Sequence, residues 1–239
     1  MLRWVAAFAL VLMLSSCASP PKREIVVRDT EAISSVKTIA ILTPGVTSRA
    51  AAHAMLSSGS ALFGGPLVIM AAADTMKKRD EEFLRALNAR QYDVRASLVK
   101  ALVGKLKDQG LNVVFVEATH PNPGLLESYA QFSDVAADAY LDLYITEYGY
   151  IAEGNLSPYQ PLLGIDFKLV RSADGRALLK ETYLYTALTK DPSPLHKTPD
   201  TKYNMGSFED VMSHLDFAVE GIERGVELGA ATIANTLNP

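Results

Sequence analysis

The chain has 239 residues, 49% of them hydrophobic and 21% charged, with a formal net charge of −4. That composition supports a packed core and excludes global disorder, and its mild acidity excludes a nucleic-acid binder, which needs a basic face. One cysteine excludes an internal disulfide, so stability must come from packing.

Arg3 precedes an uncharged run over residues 4–16, built on Val5, Phe8, Leu10, Val11, Leu12, Met13 and Leu14. A basic start, a short apolar stretch and small residues at its end predict a secretory signal over residues 1–16, too short to span a bilayer stably. Leu14, Ser15, Ser16 and Cys17 resemble the lipobox of bacterial lipoprotein precursors. The resemblance implies cleavage before Cys17, a diacylglycerol on its sulfur and an acyl chain such as palmitate on its amine. Several acyl chains exceed the one-chain limit for reversible anchoring. Ala18 stands where an aspartate would retain a lipoprotein in the inner membrane, so the resemblance implies lipid anchoring in the outer membrane, facing the periplasm. The alternative is an ordinary signal-peptide end with Cys17 an incidental thiol, which would be a liability in an oxidising compartment.

Residues 17–35 then read as anchor and tether, extended by Pro20 and Pro21, and residues 36–239 as one periplasmic domain. Residues 36–43 (V-K-T-I-A-I-L-T) predict a first strand closed by Pro44-Gly45. Residues 50–73 contain no Asp, Glu, Lys or Arg. Glycines and Pro66 interrupt this run, which is expected to form an apolar insertion at about 46–76. It is either buried as helix–break–helix against the domain, or placed in membrane or at a subunit contact. Residues 76–109 carry a helical stripe through Phe83, Leu87, Val94, Leu98, Leu102 and Leu106, with room for a bend at 89–92 and Gly110 at the C-cap. Residues 111–117 predict a second strand buried on both faces, and 125–136 a short helix. Residues 139–150 alternate cleanly, with Ala139, Leu141, Leu143 and Ile145 on one side and Tyr140, Asp142, Tyr144, Thr146, Tyr148 and Tyr150 on the other. Asp174-Gly175 predicts a two-residue hairpin turn that sets Lys168 opposite Glu181, Asp166 opposite Tyr183 and Gly164 opposite Tyr185. Ser207 caps a final helix whose stripe runs through Phe208, Val211, Leu215, Ala218, Ile222, Val226, Ala230 and Ile233. The fold class expected is α/β (α+β): a mixed sheet of about five strands, packed by a long central helix and a long C-terminal helix.

His53, His120, His196 and His214 are too scattered for metal-ligand spacing. No nucleophile elbow, phosphate loop or dinucleotide fingerprint occurs. No catalysis, metal or cofactor is expected. Tyr140, Tyr144, Tyr148 and Tyr150, joined by Tyr183 and Tyr185 in the expected register, make a candidate partner, subunit or small-ligand surface, since tyrosine joins apolar area to a polar tip. The same rings could instead form an outer core under a helix.

The order of elements, with V-V-F-V at 113–116, A-A-D-A-Y-L-D-L-Y-I at 136–145 and a D-G hairpin, resembles a group of periplasmic lipoproteins. Its α/β domain is shared by the curli-secretion lipoprotein and the amino-terminal domain of the Tol-system β-propeller protein. The chain also resembles a bacterial lipoprotein family of unknown function that ends in a Gly/Ala-rich helix. The likeness covers roughly residues 36–188 outside the 46–76 insertion, and no site residue but Cys17 carries over. It implies a non-catalytic binding or assembly component of the cell envelope, with other envelope proteins or further copies of the chain as partners. A secretion or channel accessory using residues 50–73 is the alternative.

Overall fold

The computed structural model describes residues 28–55, 65–154, 156–189 and 192–238, with side chains for all of these except 65–69. The predicted signal, Leu14, Ser15, Ser16 and Cys17 lie outside the described residues, as do residues 56–64 of the uncharged run and the side chains of Leu67 and Ile69. The strands are β1 (Thr38–Leu42), β2 (Gly45–Val46), β3 (Ala51–Ala54), β4 (Asn112–Val116), β5 (Ala139–Ala152), β6 (Gln160–Arg171), β7 (Ala177–Tyr185) and β8 (His196–Lys197). The helices are α1 (Thr30–Ser34), α2 (Gly65–Ala89), α3 (Val94–Asp108), α4 (Phe208–Ser213) and α5 (Leu215–Leu237). Among the described residues the strands make one mixed sheet, β4-β1-β5-β6-β7-β8, with β2 and β3 also paired to β5. The expected class and both long helices are present, and the sheet is wider than expected.

β5 is the spine. Along one edge it pairs in parallel with β1, β2 and β3 in turn, Ile39 facing Ala139, Gly45 facing Tyr144 and Ala51 facing Gly149. The start of the expected insertion is therefore sheet. Ala51-Ala52-His53-Ala54 has weak β-propensity on its own; pairing with β5 supplies the order. Gly149 has φ +129, and a Cβ there would collide with the Ala51 carbonyl, so this close approach requires glycine. Residues 28–35, expected as tether, fold onto the sheet: Asp29 caps α1 and Ile33 is buried.

The predicted bend separates α2 from α3. Gln91 takes φ 56, and Asp93 accepts from the amides of Arg95 and Ala96 to start α3. Within the uncharged run, Ala50, Ala52 and Ala54 are buried in and beside β3, whereas Met70, Ala71 and Ala73 on α2 are exposed. No described helix is long and apolar enough to cross a membrane. Among the described residues β4 pairs only with β1, and it exposes Val114 and Phe115, which corrects the expectation of a strand buried on both faces. Residues 125–136 hold a single 3-10 turn, Ala130–Phe132, in place of the expected helix. Leu126, Tyr129 and Phe132 nonetheless pack with Ala40, Leu42 and Tyr140 into a second, smaller core.

The main core lies on the other face, under α3 and α5. Ser207 caps α4 as predicted, and a break at His214 divides the final helical region in two. The stripe from Phe208 to Ile233 is buried throughout. Gly221, Gly225 and Gly229 form a groove along α5 that receives tyrosine rings. A Cβ at Gly225 would stand 2.5 Å from Tyr185 Cδ1, and one at Gly229 2.8 Å from Tyr183 Cε1. At Gly221 it would collide with Tyr150 Oη.

Candidate functional site

β1 and β4 lie side by side and parallel, and the chain leaves both at the same edge of the sheet. In open α/β sheets the crevice outside the carboxyl ends of the strands is where ligands are held. Here the two strand ends are clasped: Thr43 N donates to Val116 O at 2.9 Å, and Ala118 N donates to Thr43 Oγ1 at 3.3 Å. Beside this clasp is a crevice of about 450 Å³ lined by Thr43, Gly45, Ser48, Arg95, His120 and Tyr144, among others. The Tyr144 and His120 rings crowd Gly45, where a Cβ would lie 2.8 Å from His120 Cγ.

Behind the crevice wall sits Asp142, fully buried on β5. Its Oδ1 lies 2.9 Å from His120 Nε2, and its Oδ2 accepts from Leu126 N and Tyr129 Oη at 2.7 Å each. A carboxylate only accepts, so His120 Nε2 carries the proton in this contact. Lys168 faces Asp142 from β6, donates to Leu126 O at 2.8 Å and stands 4.8 Å over the Tyr129 ring. Burial pushes the Asp142 carboxyl up, but the bonds from His120, Tyr129 and the Leu126 amide outweigh it and hold the group below the usual carboxylate range. Burial pushes Lys168 down against the pull of Asp142, with Lys180 adding to the depression. Tyr129 is pushed up by burial and by the neighbouring Asp142 charge.

A His–Asp pair is half of a nucleophilic triad. Among the described residues no serine, threonine or cysteine completes it by bonding His120. The bonds of the cluster go instead to residues 120–129, which they fasten across β5. Sequence spacing hid the pair because 22 positions separate its members. Asp142 itself gave the signal: it is the one charge in A-Y-L-D-L-Y-I, and a buried carboxylate needs donors. A second such pair joins α2 to β3, where Asp80 Oδ1 accepts from Ala52 N and lies 2.8 Å from His53 Nδ1. His53 and His120 are thus fixed by buried aspartates, whereas His214 lies at the exposed break between α4 and α5.

The six tyrosines do not form a surface. Tyr140, Tyr144, Tyr148, Tyr150, Tyr183 and Tyr185 are each at most 7% exposed. Nor do they share a face. The β5–β6 register shifts by one residue between Ile145 and Glu147, and such a bulge reverses the parity of every later side chain. Tyr148 and Tyr150 therefore join Leu141, Leu143 and Ile145 in the main core, and Tyr140 lies in the other. The hairpin register also differs by one from expectation. Lys168 faces Lys180, Ile165 faces Tyr183 and Leu163 faces Tyr185. The cause is a longer turn, with Gly175 at φ +70 donating to Arg171 O at 2.9 Å, partly offset by a register shift between Leu169 and Val170. This register puts Tyr183 and Tyr185 under α5.

No family model matches the sequence, and no curated protein is significantly similar to it. Among solved structures, the chain is similar to a Xanthomonas campestris protein of the DUF330 family at 10% identity and TM-score 0.42, covering 87% of each chain. It is also similar to the PelC dodecamer of Paraburkholderia phytofirmans at 11% identity and TM-score 0.32, covering 78% of this chain and 88% of that one. Lipoprotein GNA1162 of Neisseria meningitidis follows at 14% identity and TM-score 0.25, covering 66% and 86%. At these identities and TM-scores none of them assigns this chain to a family or a role.

Proposed function

We propose that this chain is a lipid-anchored component of the bacterial envelope, held in the outer membrane and facing the periplasm, that works by binding and has no reaction of its own. The observation that carries it is the Leu14-Ser15-Ser16-Cys17 run behind a short apolar stretch, with Cys17 the sole cysteine. Acylation turns that thiol from a liability into an anchor. The buried cluster supports binding over chemistry, because all three donors at Asp142 serve to hold the crevice wall. The crevice at the ends of β1 and β4 takes over the binding role that the buried tyrosines do not fill.

Metabolic labelling with a fatty-acid analogue in a Gram-negative host tests the anchor. The protein should be labelled and fractionate with the outer membrane, and Cys17→Ser should abolish both; a labelled Cys17→Ser variant refutes the reading. For the binding role, crosslinking in intact envelopes should give a discrete adduct that Ser48→Trp, which fills the crevice, removes. An adduct insensitive to Ser48→Trp places binding elsewhere.

A further inference from the structure

One end of the molecule gathers apolar groups that the crevice and its cluster do not use. Met55 follows β3, and its amide donates to Ala152 O at 2.8 Å. Leu156 lies on the connection from β5 to β6 that starts at the same point. α2 runs back along β3, with Asp80 bonded to Ala52 and Ala72 lining a cavity with Ala54. Its first turns therefore project past the end of the sheet. Met55 is 45% exposed, Met70 68% and Leu156 103%, with Ala71 and Ala73 exposed on α2 ahead of its first polar residue, Asp74. Exposed apolar groups gathered at one place mark a contact site.

The entry of the chain selects the occupant. Arg28 bridges Leu179 in antiparallel fashion. β7 runs in the direction of β5, since both are antiparallel to β6. The chain thus enters at Arg28 travelling away from the end that carries Met55 and Leu156. Leu179 faces Leu169, which faces Leu141, so Arg28 lies roughly 35 Å from the level of Ala152 at ~3.3 Å per strand residue. The stretch from Cys17 to Arg28 spans at most about 36–40 Å when extended. An acyl group on Cys17 can therefore reach the plane of that end along the chain's own line of entry.

We propose that the end marked by Met55, Met70 and Leu156 rests on the lipid surface that holds Cys17, an inference that builds on the anchor reading. The contact is interfacial, since no described helix is long and apolar enough to cross a membrane.

Leu156→Trp is compared with Ala173→Trp, an exposed position in the β6–β7 turn at the opposite end, each in a Trp4→Phe chain that lacks the native tryptophan. Each full-length protein is made in a Gram-negative host, checked for fatty-acid incorporation and reconstituted in phosphatidylethanolamine–phosphatidylglycerol vesicles with or without brominated acyl chains. Brominated lipid should quench the indole of Leu156→Trp severalfold more than that of Ala173→Trp, and adding Met70→Asp should shrink the difference while the fatty acid stays attached. Equal quenching, or stronger quenching at the Ala173 end, overturns the proposal. A blue-shifted but unquenched indole at the Leu156 end also overturns it, and shows a second copy covering this end. Absence of fatty acid refutes the anchor reading alone. The same chains are then coupled through Cys17 to a maleimide lipid, where preferential quenching at the Leu156 end still supports lipid contact and its absence overturns it.

Discussion

Gly221→Ala tests how closely α5 must approach the sheet. On an exposed helix this substitution stabilises by about 1 kcal/mol through helix propensity. Here the new methyl meets Tyr150 Oη, with Pro161 Cγ 3.1 Å away on the same side. Tyr150 is wholly buried. Overpacking of this kind costs about 1–3 kcal/mol, which offsets the propensity gain and leaves a net loss of about 0–2 kcal/mol, or up to some 8 °C in Tm for a chain of this size. The obstructing atom is also one that the core gains little from, since Tyr150 Oη is buried without a hydrogen-bond partner among the described residues. Tyr150→Phe alone should then be neutral or stabilising by up to about 1 kcal/mol. Combining the two removes the clash and keeps the propensity gain, so the double variant should match or exceed wild type, with a coupling of about 1–3 kcal/mol. Urea denaturation followed by far-ultraviolet circular dichroism measures all four corners of the cycle. Additive effects would refute the contact as the reason for glycine at this position.

Asp142→Asn should lower stability at neutral pH and flatten its acid dependence. A carboxyl whose folded pKa is depressed contributes stability that is present above its unfolded value, near 3.9, and lost as pH falls through the lower folded value; denaturation midpoints from neutral pH to below ~4 would expose a variant that keeps the wild-type acid slope and so refutes the assignment. Gly175→Val should cost about 1 kcal/mol or more, because a β-branched residue resists φ +70; an unchanged urea midpoint would remove that turn from the fold. Phe115→Lys, on the exposed side of an edge strand, should shift stability by no more than about 0.5 kcal/mol, and a loss of several kcal/mol would mean β4 is covered. Asp80→Ala leaves the Ala52 amide and His53 without their shared acceptor, so hydrogen exchange should accelerate in β3 well before it does in β6.

What the sequence disclosed depended on how local the cause was. The stripe on α5, the Ser207 cap and the break near Gln91 were legible because each follows from side chains within a few positions. β3 was not, since four residues of A-A-H-A acquire strand geometry only from β5, nearly a hundred residues away. Residues 125–136 read as helix because Leu126, Tyr129 and Phe132 are spaced for one. Their backbone is instead fixed by Asp142, reached through Leu126 N and Tyr129 Oη. The tyrosine alternation was read correctly up to Ile145 and wrongly beyond it, since nothing in I-T-E-Y announces a bulge.

That bulge makes the middle of β5 a place where residue number, as well as residue kind, is free to change. Thr146 and Glu147 lie where the pairing slips, and Thr146 is only half-buried. Many side chains would serve at position 146. Its deletion would heal the bulge: Glu147 would follow Ile145 directly, opposite Gly164, and Tyr148 and Tyr150 would keep their β6 partners and their place in the main core. A residue removed elsewhere in β5 has no such slack and would turn every later side chain to the opposite face, so this strand tolerates a change of length at one point and forbids it at the others.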